Sequence, residues 1–232
     1  MTERQRVDKV ELGIHARAKS VDIFAKEFSC SAAGKVQGNL DAELAEIRGA
    51  CKVGGDVKAT ILKVSGSMKV VGNVTSELIR AKGALKIEGA VNANDFRISG
   101  ATKVIGDITS ANEIFVEGVL KCGSGIIANK FNLLGVVDVA KTLKANEFIA
   151  QLSGKSSIET LESETISVKI RDNRQKTELL CKKIIGKEIY LEATVAEYVE
   201  GDNVVIGPGC AISEVKANQL EVDKDSKVGK KL

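Results

Sequence analysis

The 232-residue chain balances 34 basic against 31 acidic residues for a net charge of +3, which excludes a strongly basic nucleic-acid binder. Its hydrophobic content is 44% with only 3% aromatics, no Trp and one Pro, a composition suited to a thin interior of Val, Ile, Leu and Ala rather than a large globular core. No run of about eighteen apolar residues occurs and the start, MTERQRVDK, is polar, so the expectation is a cytoplasmic protein without signal peptide or membrane span.

Residues 1–9 read as a short polar tail, and Val10, Leu12 and Ile14 as the first strand of a regular region covering 10–170. Within it Gly38, Gly55, Gly72, Gly89, Gly106 and Gly123 recur at a step of 17, as do Gly49, Gly66, Gly83 and Gly100. Such a period is too long for a heptad and too short for a helical pair, so each repeat is one small supersecondary unit stacked on the next. Inside a repeat, Cys51, Val53, Gly55, Val57 and Ala59 alternate with Lys52, Gly54, Asp56 and Lys58, and the pattern resumes one residue out of phase at Leu62 and Val64. Period two is the signature of a strand, and three phases mean three short strands separated by three corners. The expected fold is an all-β parallel β-helix, a solenoid of triangular cross-section with about 17 residues per coil, each coil about 4.8 Å from the next. Columns such as Cys51, Met68, Leu85 and Thr102, or Val53, Val70, Ile87 and Val104, should fill its interior.

Glycine is expected at the corners because a turn there demands φ values other residues avoid. The stretch LDAELAEIRG has helical spacing at Leu40, Leu44 and Ile47, but Leu40 and Ile47 fall in the columns of Val57 and Val64, and long-range register favours strand. After Gly106 one residue is inserted, the 17-residue step resumes from Gly118 to Gly135 and from Phe131 to Phe148, and coils of eighteen or nineteen follow to Gly154. Residues 171–188 read as an interruption, with RDNRQKTE a corner excursion and Leu179 to Ile185 a short helix. Residues 189–223 resume as a less regular solenoid stepping by fifteen or sixteen, and 224–232 close the chain as a charged tail.

Two basic columns stand on the surface. Lys35, Lys52, Lys69, Lys86 and Lys103 share the 17-residue step, as do Lys63, Arg80 and Arg97. One reading is lysine stems that cover the sheet while their heads splay into water; the other is a stripe that contacts an anionic surface. Asn39, Asp56, Asn73 and Asp107 follow corner glycines, but the calcium-binding pattern G-G-x-G-x-D is absent, so they read as corner chemistry and no metal is expected. Five cysteines without close pairing argue against a disulfide framework or a zinc site, and Cys30 and Cys51 read as small buried hydrophobes. His15 has no evident catalytic partner.

The cadence of GACKVGGDVKA, GSMKVVGNVTS, GALKIEGAVNA and GATKVIGDITS, with the late segment VVIGPGCAISEVKANQLEVDKDSKVGK, resembles the bactofilin family of polymer-forming cytoskeletal proteins. That resemblance implies a right-handed β-helix that joins end to end into filaments without nucleotide, a scaffold rather than an enzyme, with no cofactor. Its partners would be further copies of itself and proteins of the cell envelope or membrane. The chain departs from the family in a longer repeat region, in short tails that are not Pro-rich and in lacking an apolar N-terminal anchor. The polymerising surfaces would be the terminal coils, carrying Val10, Leu12 and Ile14 at one end and Leu220, Val222 and Val228 at the other, because uncapped coils present unpaired backbone groups. A rival reading comes from VVIGPGCAI, which is similar to the hexapeptide repeat of left-handed β-helix acyltransferases; those coils run at eighteen residues.

Overall fold

Alternation of apolar and polar residues forces a strand to bury one side, and a repeat of fixed length lets each strand bury that side against its own copy in the next coil. The computed structural model describes residues 6–13, 22–171 and 177–232, and among them it is a parallel β-solenoid without helix. The chain divides into two units, Met1–Ala111 and Asn112–Leu232.

In the first unit each coil from Ile23 to Val104 contributes an eight-residue and a four-residue strand, as in Val57–Val64 and Ser67–Val70. Val57 and Ala59 are buried, then Leu62 and Val64, so the long strand changes phase and bends at Thr60 and Ile61. That bend supplies the third corner, and the three faces are 57–59, 62–64 and 68–70. Pairing is parallel and in strict register: Val57 lies against Val74 and Val74 against Val91, each 17 residues on. The columns expected from the repeat are buried throughout; Val53, Val70, Ile87 and Val104 are each fully enclosed. Leu40–Ile47 is a strand despite its helical spacing, because each of its inward residues meets a counterpart in the coils on both sides.

The corner glycines are needed for a reason other than the one their position suggests. Among the described residues positive φ occurs only at Gly209 (75°) and Ala193 (45°), so the repeated glycines do not sit in left-handed backbone. Instead the coils approach so closely at the corners that a Cβ on Gly66, Gly83 or Gly100 would overlap the carbonyl oxygen of the glycine one coil earlier. The column is glycine because each member leaves room only for another.

The second unit keeps the parallel stack while its coil length drifts. Val119–Cys122 and Ile126–Leu133 pair at a step of 17 with the long strand Val136–Leu152, which pairs in turn with Lys155–Ile170, first at a step of 19 and then, past a bulge between Val139 and Thr142, at 18. The next step is 23, with Ile158 against Cys181, followed by 15 and 16. The residue inserted after Gly106 falls at a bend: Ile108–Val116 buries Ile108 and Ser110, then Ile114 and Val116, so the extra residue lengthens the exposed corner between them. Phe131 and Phe148 stack with ring centroids 5.6 Å apart in a column that continues as Ile166, Ile189, Val204 and Leu220.

Three expectations need correction. Leu179 to Ile185 is part of a strand, Glu178–Ile185, because Leu179, Cys181 and Ile184 take the inward columns of Ser156, Ile158 and Leu161. Within 171–188 the strand therefore carries the solenoid, and residues 172–176 of the excursion lie outside the described residues. The closing stretch is not only a tail: Lys227–Lys231 pairs in parallel with Ala211–Val222, Ile212 against Val228. The first strand, Val7–Leu12, begins inside the stretch read as a polar tail.

Candidate assembly edges and basic columns

A parallel stack satisfies each strand's backbone on both sides except at its first and last strands. Val7–Leu12 pairs with Ile23–Cys30 along one edge, and no other described strand pairs with its opposite edge. Its side chains are mostly exposed; Leu12 is buried at 4% exposure, Val10 is half-buried and Ile14 lies outside the described residues. In the second unit Gln219–Val222 pairs with Asn203–Ile206, but Lys227–Lys231 covers only the Ala211–Val215 part of the outer edge. Leu220 and Val222 thus end two inward columns in which Val204 and Ile206 are 1% exposed, and both are left half-exposed. Val228 is likewise half-exposed.

The lysine ladder is real as a register. Lys35, Lys52, Lys69, Lys86 and Lys103 are successive partners on one face of the first unit. Its charge is partly answered: Glu88 accepts from Lys69 at 2.8 Å and has Lys86 at 3.9 Å. The Lys69 hydrogen bond and charge hold the Glu88 carboxyl below its ordinary value against an opposing contribution from burial, and Lys86 and Lys52 add lesser effects. Lys63, Arg80 and Arg97 are also register partners, but they flank Leu62, Ile79 and Phe96 on a different face. The two basic columns are not brought onto one surface.

A second ladder runs along the corner after the glycines. The side-chain oxygen of Asp22 accepts from the backbone N–H of Asn39 at 2.9 Å, Asn39 from Asp56 at 2.8 Å, Asp56 from Asn73 at 2.7 Å and Asn73 from Ala90 at 2.9 Å. Each oxygen reaches one coil along, so the acids and amides tie coil to coil instead of gathering around a cation. Among the described residues no three His, Cys, Asp or Glu side chains cluster as a metal site would require. Sequence reasoning placed these residues at the corner but missed their coil-to-coil bonding; the signal was Asp22 one 17-residue step before Asn39.

None of the five cysteines is in a disulfide, and all are buried. Burial pushes every resolved thiol upward, Cys181 to about 12, and Cys30, Cys51 and Cys210 in the same direction. Tyr190 is raised to about 12, first by its 2.7 Å hydrogen bond to the Glu192 carboxylate. His15 lies outside the described residues. No described helix is long and apolar enough to cross a membrane.

No family model matches the chain, and no solved structure matches it. An uncharacterized protein of Bacillus subtilis, YhbF, is 36% identical over 80 residues, covering 33% of this chain. The matched stretch is 34% of that protein, about a third of its length.

Proposed function

We propose that this chain is a structural protein of bactofilin type, which assembles through its open strand edges into filaments without nucleotide or cofactor and serves as a scaffold. The observation that carries this reading is the pair of edges that no other described strand covers. Val7–Leu12 offers unpaired backbone groups beside Val10, while Gln219–Val222 does so beside half-exposed Leu220 and Val222. An unpaired strand edge is a template on which another strand can pair, and the exposed charges of Asp8 and Lys9 on Val7–Leu12 are already answered by Lys26 and Glu11. The glycines support the reading too, since they are spaced as corners, one coil apart, and no phosphate-cradling G-x-x-x-x-G-K-[ST] occurs. Against the acyltransferase alternative stand the repeated 17-residue step of the first unit and later steps that range from 15 to 23 and are only once eighteen, where eighteen throughout would be expected. Envelope or membrane-associated proteins are the partners such a scaffold would organise.

The test is electron microscopy of the purified protein in nucleotide-free buffer, beside the double variant Leu220→Asp, Val222→Asp. The native chain should form filaments. The variant should remain as monomers or single-junction dimers with an unchanged β circular dichroism spectrum, because terminal coils contribute little to the interior of a one-dimensional stack. Long filaments from the double variant would rule out growth through that edge, and discrete trimers of the native chain would favour the acyltransferase class.

A further inference from the structure

The four-residue strands of the first unit form a face whose outward positions repeat in kind. Lys35, Lys52, Lys69, Lys86 and Lys103 follow one another without a register shift, a line of ammonium groups four coil steps, or about 19 Å, in length. An exposed Ala or Ser stands two residues before each lysine, so nothing bulky flanks the row on that side. Two residues beyond a lysine, alternation brings the chain to the same side of the sheet again, and there stand Val71, Glu88 and Ile105. Among the described residues this unit leaves three large aliphatic side chains exposed, and two of them are Val71 at 39% and Ile105 at 43%. Glu88, between them, is the one carboxylate on the face, so five lysines against one acid leave a net charge of +4.

We propose that this face docks on an anionic phospholipid bilayer, with the lysines among the headgroups and Val71 and Ile105 dipping into the interface beside them. Each lysine held near an anionic membrane surface contributes about fivefold in affinity. Charge alone would suit any polyanion, and the aliphatic pair decides among them. A soluble polyanion leaves Val71 and Ile105 in water, whereas the boundary between headgroups and acyl chains takes apolar side chains and cations together. Single-stranded nucleic acid is held by aromatic side chains on which its bases stack, and this face carries none. Lys63, Arg80 and Arg97 lie on a different face and take no part. The surface is a side of the solenoid and not one of its edges, so it acts whether or not chains join end to end.

The experiment is flotation of the full-length protein with vesicles on a density gradient, which separates lipid binding from the sedimentation of filaments. Vesicles of phosphatidylcholine with about 30% phosphatidylglycerol should carry the chain upward, and vesicles of phosphatidylcholine alone should not. Salt near 1 M, where the Debye length is about 3 Å, should release it. Lys52→Gln, Lys69→Gln and Lys86→Gln together should weaken binding about a hundredfold. Lys63→Gln, Arg80→Gln and Arg97→Gln together remove the same charge from another face and should leave binding unchanged. Glu88→Gln should strengthen it about fivefold, a gain that a misfolded chain would not give. Because the chain has no Trp, Ile105→Trp supplies a single reporter whose emission should shift to the blue on anionic vesicles. Thr75→Trp, exposed on the strand Val74–Ala81, should show no shift. No flotation of the native chain, equal losses in the two triple variants, or an unshifted Ile105→Trp emission would each overturn the lipid surface. Binding of a single-stranded oligonucleotide as tight as that of the vesicles would assign the face to a soluble polyanion and overturn it as well.

Discussion

At the scale of single residues, the solenoid makes opposite demands of neighbours in sequence. Val70 is fully buried between Val53 and Ile87, while Lys69 beside it carries its charge to Glu88 at the surface. Val70→Asp should therefore cost several kcal/mol, because an unpaired carboxylate has no partner in that column. Lys69→Ala should change thermal stability little, as exposed ion pairs contribute little. A melt in which Lys69→Ala is the worse of the two would invert the inward and outward assignment. Thr102 offers the converse test: its hydroxyl is buried without a hydrogen-bond partner beside Leu85. Thr102→Val keeps the shape and removes the orphaned group, so it should raise stability by about 1 kcal/mol in chemical denaturation. The inward identity of both residues was legible in the sequence, since the residues 17 and 34 earlier repeat it. The lack of a partner for Thr102 was not, because satisfaction depends on which carbonyl oxygens the coil brings within reach; Ser76, also inward, finds the carbonyls of Thr60 and Leu78.

At the scale of the coil, the corner is where successive elements are locked together. Asp56 accepts the Asn73 N–H, and its Oδ1 lies where a Cβ on Gly72 would have to go, so acid and glycine are a matched pair one coil apart. Asp56→Ala should cost about 1 kcal/mol, and Gly72→Ala more than that, because the new methyl meets the Gly55 backbone as well as the acid. If both changes are silent in equilibrium unfolding, the corner does not hold the coils in register. The repeat revealed the glycines but suggested a torsional reason for them; the close approach behind them is a relation between coils that no single corner sequence displays. The same limit explains the segment from Leu179 to Ile185. Its local spacing fits a helix, and only its partners Ser156, Ile158 and Leu161, 23 residues earlier, show that it is a strand. The uncovered state of Leu220 and Val222 likewise depends on how far Lys227–Lys231 reaches along its neighbour.

Across the whole molecule, titration sets the range of pH in which the fold holds. Asp8, Glu11, Glu88 and Glu200 are held below their ordinary values first by hydrogen bonds from Lys26, Lys9, Lys69 and Lys216. Stability tied to such groups is present above the unfolded carboxylate range and is lost as pH falls through the folded values. The buried thiols act in the other direction: their folded values lie above the ordinary 9.0, so the unfolded chain ionises first and stability falls as pH rises beyond 9. Because the carboxylates are exposed and the thiols enclosed, the alkaline limb should be the steeper. Melting temperature under reducing conditions should be level near neutrality and drop between about pH 9 and 11; a flat profile there would contradict the burial of the thiols. The strict register of the first unit has one more consequence, for descent. Residues 17 apart are spatial equivalents, so a coil there has no identity of its own, and duplicating or deleting one whole step re-pairs every column with an equivalent partner. A gene encoding such a unit can lengthen or shorten by slippage in a single quantum, while a change of another length within a strand turns inward residues outward. The second unit, with steps of 23, 15 and 16, has coils that fit only their own neighbours. Among descendants of this sequence, differences in length should accumulate in the first unit in whole steps and be rare in the second.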